Sequence, residues 1–315
     1  TFFPQLIMGP IVHYRELQPQ FRSAGLFRWN PDNFSLGMCI FIVGLFKKVV
    51  LADSIAPFVD GVYGNVAQGE SIAPVDAWAA ALGFTLQIYF DFSAYSDMAI
   101  GLGRMFGFRF LENFNFPYIS RTITEFWRRW HISLSSWLRD YLYIGLGGNR
   151  RGRARTARNL LATMLLGGLW HGAGWTFILW GAIHGVGLVV ERRIAERWPS
   201  DETGRVGRLL RSLVTFHLVC AAWVFFRSVD VERALEVFSA LGGSWTSVPG
   251  LSVGVVLLLL LGLLTQVVAP GRLDGLWEKA GRLPLVVQAA GITLAILSFD
   301  ALGPDGVAPF IYFQF

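Results

Sequence analysis

Charge is scarce in this chain. Asp, Glu, Lys and Arg make up 16% of its 315 residues, 53% are hydrophobic, and mean hydropathy is +0.47. Soluble domains carry about a quarter charged residues, so the composition points away from them and toward a polytopic membrane protein. Cysteine is almost absent too. Cys39 and Cys220 both lie in apolar runs without metal-ligand spacing, which leaves neither a disulfide framework nor a metal site, only two buried thiols. Also missing are a phosphate-binding loop, a dinucleotide fingerprint, a His-Glu-x-x-His pair and a Gly-x-Ser-x-Gly elbow, so nucleotidase and hydrolase readings lose their support. No internal repeat or low-complexity stretch divides the chain, and one domain is expected over residues 1–315. It starts at Thr1 in what reads as a loop, with no signal peptide, so a fragment lacking its N-terminus is expected.

What is abundant fits a bilayer. Twelve Trp and 26 Phe suit lipid-facing packing and headgroup belts. The net charge of +5 is no footprint of nucleic-acid binding, because the arginines cluster in short gaps between apolar segments. Those segments run over about 34–52, 77–100, 159–190, 212–227, 251–269 and 284–299, against roughly 20 residues for a helical span. The 159–190 stretch is too long for one span. Gly172 and Gly174 interrupt it, which predicts two short helices meeting near His171. Glycines such as Gly37, Gly101 and Gly181 permit close helix–helix approach.

Charge then sets orientation. Gaps 13–32, 104–158, 191–211 and 270–283 are basic, the third with six arginines and the last with Arg272, Lys279 and Arg282. Gap 53–76 has no Lys or Arg, gap 228–250 has Arg233 against three acids, and the tail 298–315 has no base. With the 159–190 hairpin returning to its starting side, every basic gap falls on one face, which the positive-inside rule makes cytoplasmic. Segment 120–148 mixes charge with Trp127, Trp130, Leu134, Trp137 and Tyr141 at spacings of three or four. It predicts a helix in the cytoplasmic interface or packed into the bundle from below.

Chemistry-bearing groups are few. His171 stands between Trp170 and Trp175 among glycines; in a soluble core such a histidine is ordinary packing, but at membrane depth it is a functional suspect. His131, beside Arg128 and Arg129 with Ser133 and Ser135 near, is either a headgroup-level histidine or a second catalytic imidazole. One neutral imidazole can take a proton from a hydroxyl while the other polarises an acyl carbonyl. His184 reads as packing, and His13 and His217 are weaker candidates. Asp91, Tyr95 and Asp97 either line a cavity or anchor an arginine from 104–129. Lys47 and Lys48, near the end of a span, read as snorkelling side chains or as a cavity-facing cation.

Three stretches resemble one family. Phe2-Phe3-Pro4-Gln5-Leu6-Ile7-Met8-Gly9-Pro10-Ile11, the run from Trp127-Arg-Arg-Trp130-His131 to Trp137-Leu-Arg-Asp140-Tyr141, and Gly168-Leu-Trp170-His171-Gly are similar to the membrane-bound O-acyltransferases, in their bacterial alginate O-acetylation branch. The ending Phe310-Ile-Tyr-Phe-Gln-Phe315 is similar to that branch as well. The resemblance implies an all-α polytopic transmembrane helical bundle with interfacial or re-entrant cytoplasmic helices, here lacking its N-terminal transmembrane helices. It implies a bacterial inner-membrane location, acetyl-CoA as cytoplasmic donor, and an acetyl group passed to an extracytoplasmic SGNH-type acetyltransferase that modifies a polysaccharide. The family's histidine maps onto His171 and its second polar position onto His131, both facing a tunnel; no metal or resident cofactor is implied. Arg128, Arg129 and the five arginines of 150–158 are candidates for gripping the donor's phosphates, or simply fix topology. Two competing readings are a transporter of a polymer or lipid carrier and a scaffold that docks an extracytoplasmic enzyme.

Overall fold

The computed structural model describes residues 9–23, 26, 28–197, 204–243, 250–267, 283–303 and 309–311. Among them all regular structure is helical, as expected. The segments around Phe2–Met8, Arg272–Arg282 and 312–315 lie outside the described residues.

After a short α1 (Tyr14–Phe21), α2 (Pro31–Phe46) starts where Pro31 occupies the first turn and the Asn30 side chain accepts the Asn33 N–H at 2.9 Å. It does not end at 52. A π-helical stretch, Lys47–Ala52, joins it to α3 (Asp53–Ala67), giving one continuous helix over Pro31–Ala67. The acidic gap expected from residue 53 is therefore corrected to helix. Its few acids masked a stripe of Ile55, Val59, Val62 and Val66, spaced by three or four, which is buried where α3 packs on α4.

The central element is α4 (Pro74–Met105), about 48 Å long at 1.5 Å per residue. It packs against α2, α3, α9, α10 and α11, and Ala77, Ala80, Phe84, Leu86 and Ile88 are fully enclosed. Contact with α2 depends on Gly37 and Gly101: a Cβ on Gly37 would stand 2.5 Å from the Gly101 carbonyl oxygen, and one on Gly101 would stand 2.8 Å from the Phe41 nitrogen. Only glycine allows backbones that near.

Segment 120–148 is not one helix. It breaks at Trp130–His131 into α5 (Ile123–Arg129) and α6 (Ile132–Trp137), the latter running into a π-helical turn, Leu138–Tyr143. Trp127, Trp130 and Leu134 of the expected apolar face are buried, whereas Trp137 and Tyr141 are exposed. The long apolar stretch divides as expected into α7 (Arg153–His171) and α8 (Trp175–Arg197). Gly168 and Gly181 lie at their contact, where a Cβ on either would collide with backbone of the facing helix.

The chain continues through α9 (Arg205–Arg227), α10 (Val231–Leu241), α11 (Val253–Val267) and α12 (Leu285–Leu302). Gap 228–250 thus contains a helix, started by the Asp230 carboxylate accepting the Arg233 N–H at 2.8 Å. Pro31–Ala67 and Arg205–Arg227 are long and apolar enough to cross a membrane, and Val253–Val267 and Val286–Phe299 are shorter apolar helices. Both cysteines are free; Cys220 is buried beside Thr85, but Cys39 is only half-buried.

Candidate active site

His171 is the last residue of α7, just before the turn into α8. It is half-buried in a ring of aromatics: Trp170 and Trp180 each at 5.2 Å between centroids, Phe226 at 5.0 Å and Phe177 at 6.4 Å. Trp170 and Trp175 are themselves 62% and 74% exposed, so the hairpin tip is open on that side.

His131 is placed by a different device. It occupies the break between α5 and α6 with φ of 43°, a left-handed conformation that costs a non-glycine residue about 1–3 kcal/mol and persists only where surroundings enforce it. Asn113, 1% exposed, enforces it. Its backbone carbonyl accepts the Ile132 N–H at 2.9 Å, and its Oδ1 accepts the Ser133 N–H at 3.1 Å and the Ser133 hydroxyl at 2.9 Å. That Oδ1 also stands 3.2 Å from His131 Nδ1. As the N-cap of α6, His131 Nδ1 also accepts the Leu134 N–H at 3.4 Å. Phe92 meets the imidazole edge-on at 4.6 Å.

The fold brings the two predicted imidazoles together. An aromatic chain links their surroundings: Trp130 to Trp223 at 5.0 Å, Trp223 to Trp180 at 5.8 Å, and Trp180 to His171. Of two neighbouring neutral imidazoles, one can take a proton while the other polarises a carbonyl.

A cavity of about 770 Å³ opens beside α5 and α6. Arg128, Arg139, Arg150 and Arg192 line it, with Trp127 and Met164 on its apolar side. The two weak candidates for a donor site therefore separate. Arg128 lines the cavity, while the Arg129 guanidinium pairs with Glu125 at 2.9 Å and donates to the Asn115 carbonyl at 3.2 Å. Burial raises the Glu125 pKa, but the Arg121 backbone N–H and the Arg129 guanidinium outweigh it and hold the carboxyl below its ordinary value. Of the 150–158 cluster, Arg150 lines the cavity and Arg153 pairs with Glu196 at 3.0 Å on the exposed surface.

Lys47 and Lys48 are not at a helix end and do not snorkel; they lie in the π-helical stretch midway along Pro31–Ala67. Lys47 Nζ pairs with Asp97 at 2.5 Å, and Lys48 Nζ with both Asp53 and Asp91 at 2.7 Å. Asp91 thus holds a lysine of the neighbouring helix rather than an arginine from 104–129, and its other oxygen accepts the Ile311 N–H at 2.9 Å. His217 is satisfied by the Leu213 carbonyl at 2.8 Å, and His13 is 4.0 Å from Asp140. His184 is fully buried, its ring stacked on Phe126. Asn113, Trp180 and Phe226 escaped sequence reasoning, because only the tertiary fold places them beside the histidines.

Two histidines bordering one aromatic cluster and an arginine-lined cavity are the chemistry-bearing features of this apolar helical chain. The chain belongs to the membrane-bound O-acyltransferase family, whose model matches residues 1–224. It is 52% identical to a probable alginate O-acetylase of Azotobacter vinelandii, over 78% of this chain and 48% of that protein. It is 46% identical to a peptidoglycan O-acetyltransferase of Helicobacter pylori, over 77% of this chain and 45% of the relative. A teichoic acid D-alanyltransferase of Bacillus subtilis is 28% identical over 71% of this chain and 59% of its own length. The chain spans about half the length of these curated relatives.

Proposed function

We propose that this chain is part of a multi-pass inner-membrane O-acetyltransferase that takes acetyl from cytoplasmic acetyl-CoA and passes it across the bilayer for O-acetylation of an exported polysaccharide such as alginate. An SGNH-type acetyltransferase on the far side is the expected partner. One observation carries the reading: His131 and His171, 40 residues apart, border a single aromatic cluster, with an arginine-lined cavity beside α5 and α6. From Arg158 to His171 the rise along α7 is roughly 20 Å, so with the arginines at the cytoplasmic surface the imidazole lies within a hydrocarbon core of about 30 Å.

Acetyl-CoA is a polyanionic thioester. The arginines of the cavity suit its phosphates, and the apolar wall formed by Trp127 and Met164 suits the uncharged arm. His171 serves as general base, taking the proton of the attacking hydroxyl as its oxygen bonds to the thioester carbonyl carbon and the C–S bond breaks; the proton leaves with the thiolate. Alternatively its nitrogen carries the acetyl briefly. His131, held by Asn113, assists. His171→Ala abolishes acetylation of the polysaccharide while the protein still inserts and accumulates, measured by acetyl content and membrane immunoblot. Unchanged acetylation removes the assignment. Labelled acetyl-CoA given to protein in liposomes separates this reading from a transporter, which leaves the thioester intact.

A further inference from the structure

Residues 144–152 connect the π-helical turn to α7, and a surface connection of that length is ordinarily mobile. No capping side chain at the start of α7 fixes it. Asn159, in the second turn of that helix and 2% exposed, reaches back instead. Its Nδ2 donates to the Leu146 carbonyl at 3.1 Å and to the Gly148 carbonyl at 2.9 Å. Its Oδ1 accepts the Arg158 guanidinium at 3.2 Å, which sets the amide with its nitrogen toward the loop. Gly147 and Gly148, at φ of 106° and 57°, supply the left-handed backbone that brings both carbonyls to one side chain. The N–H groups of Gly147, Gly148 and Arg150 are spent inside the turn, on the Ile144, Tyr143 and Gly147 carbonyls at 3.0, 2.8 and 3.3 Å. This loop forms part of the cationic cavity's wall, and Arg150 is the charged group it presents there.

We propose that Asn159 is a positioning residue of the donor site: it holds residues 146–150 so that Arg150 meets the phosphates of the acyl donor from a fixed backbone. The inference rests on the acyltransferase reading and deepens it. Asn159 stands behind the wall, where Leu160 and Thr163 of the same helix face the cavity, and it acts only through the loop. A guanidinium on a wandering loop gives up backbone freedom as well as its own rotamers when it grips an anion. On a loop already held it gives up the rotamers alone. The clamp therefore acts on affinity for the phosphate-bearing end of the donor and leaves the chemistry at His171 untouched. It also divides the arginines of 150–158 by task. Arg150 faces the donor, whereas Arg158 secures the amide that secures the loop.

The test is steady-state acetyl transfer by the full chain in nanodiscs, with acetyl-CoA and with acetyl-pantetheine, a thioester that lacks the phosphates. Asn159→Asp keeps the size of the side chain and its contact with Arg158, but sets an acceptor oxygen against two carbonyls and so releases the loop. The expected result is a KM for acetyl-CoA about tenfold higher, the worth of one charge-assisted hydrogen bond, with kcat within about twofold of wild type. KM for acetyl-pantetheine should not change. In an Arg150→Ala background the same substitution should add less than about twofold, because the contact it positions is already gone. An unchanged KM for acetyl-CoA overturns the proposal, and so do a KM that rises equally for both donors, a fall in kcat, and full additivity with Arg150→Ala. Should Asn159→Asp fail to fold, Asn159→Ala carries the same readouts, alanine being a good helix former. Wild-type protein that transfers acetyl from neither donor overturns the acyltransferase reading itself, an outcome distinct from normal transfer that ignores Asn159.

Discussion

Lys48→Met is the most informative perturbation of the scaffold. The Lys48 ammonium is buried, with side-chain exposures of 7% for the lysine and 8% and 4% for Asp53 and Asp91, and both contacts are 2.7 Å. Methionine preserves the length and packing of the stem but leaves two carboxylates enclosed together without a cation. Removing one member of a buried ion pair costs about 3–5 kcal/mol, and here two anions are orphaned, so the upper end of that range applies. Deleting the whole cluster is different. In Lys48→Met/Asp53→Asn/Asp91→Asn no charge remains to desolvate, and the amide introduced at position 91 still offers an oxygen to the Ile311 N–H, so the net change should fall within about 1–2 kcal/mol of wild type. Chemical unfolding in mixed micelles, followed by tryptophan fluorescence, measures both. A single variant as stable as wild type, or a triple variant no better than the single, refutes the reasoning.

Other expectations follow from the site. Asn113→Ala removes the amide that holds Ser133 and borders His131 Nδ1, so transfer should fall at least tenfold with a stability loss of about 1–3 kcal/mol; unchanged turnover would show that His131 needs no such clamp. Gly181→Leu forces a side chain into the α7 backbone, destabilising the hairpin by about 1–3 kcal/mol or more and displacing His171; wild-type unfolding would contradict the close approach. Glu125 is held below its ordinary value of 4.5, so its pairing with Arg129 stabilises the protein above that pH and is lost as the carboxyl protonates below it. The stability difference between wild type and Glu125→Gln should therefore be present at neutral pH and vanish well under pH 4.5; a difference that grows on acidification reverses the sign.

The hairpin was legible in the sequence because its signal is local. Too many apolar residues for one span, broken by Gly172 and Gly174, leave only a reversal near His171, and α7 and α8 meet there. The helix over 120–148 was misread because its break carries no proline or glycine. His131 adopts a left-handed backbone under the hold of Asn113, 18 residues earlier, and no propensity reports such a clamp. The lysines were misplaced for a geometric reason. Residues five apart on an α-helix point about 140° away from one another, so Lys48 and Asp53 look unrelated. The π-helical turn, in which the Asp53 N–H reaches the Lys48 carbonyl, stacks them on one face.

The hold of Asp91 on Ile311 has a temporal consequence. The carboxylate belongs to α4, and the amide N–H it accepts lies 220 residues later in the chain. Until that late segment arrives, one oxygen of a desolvated anion lacks a donor, and the ammonium it shares with Asp53 lacks the Pro309 carbonyl and the Phe310 ring. Synthesis thus delivers the closing piece of this ion cluster long after the acids themselves, and a nascent chain that stops short of Pro309 holds the cluster incomplete.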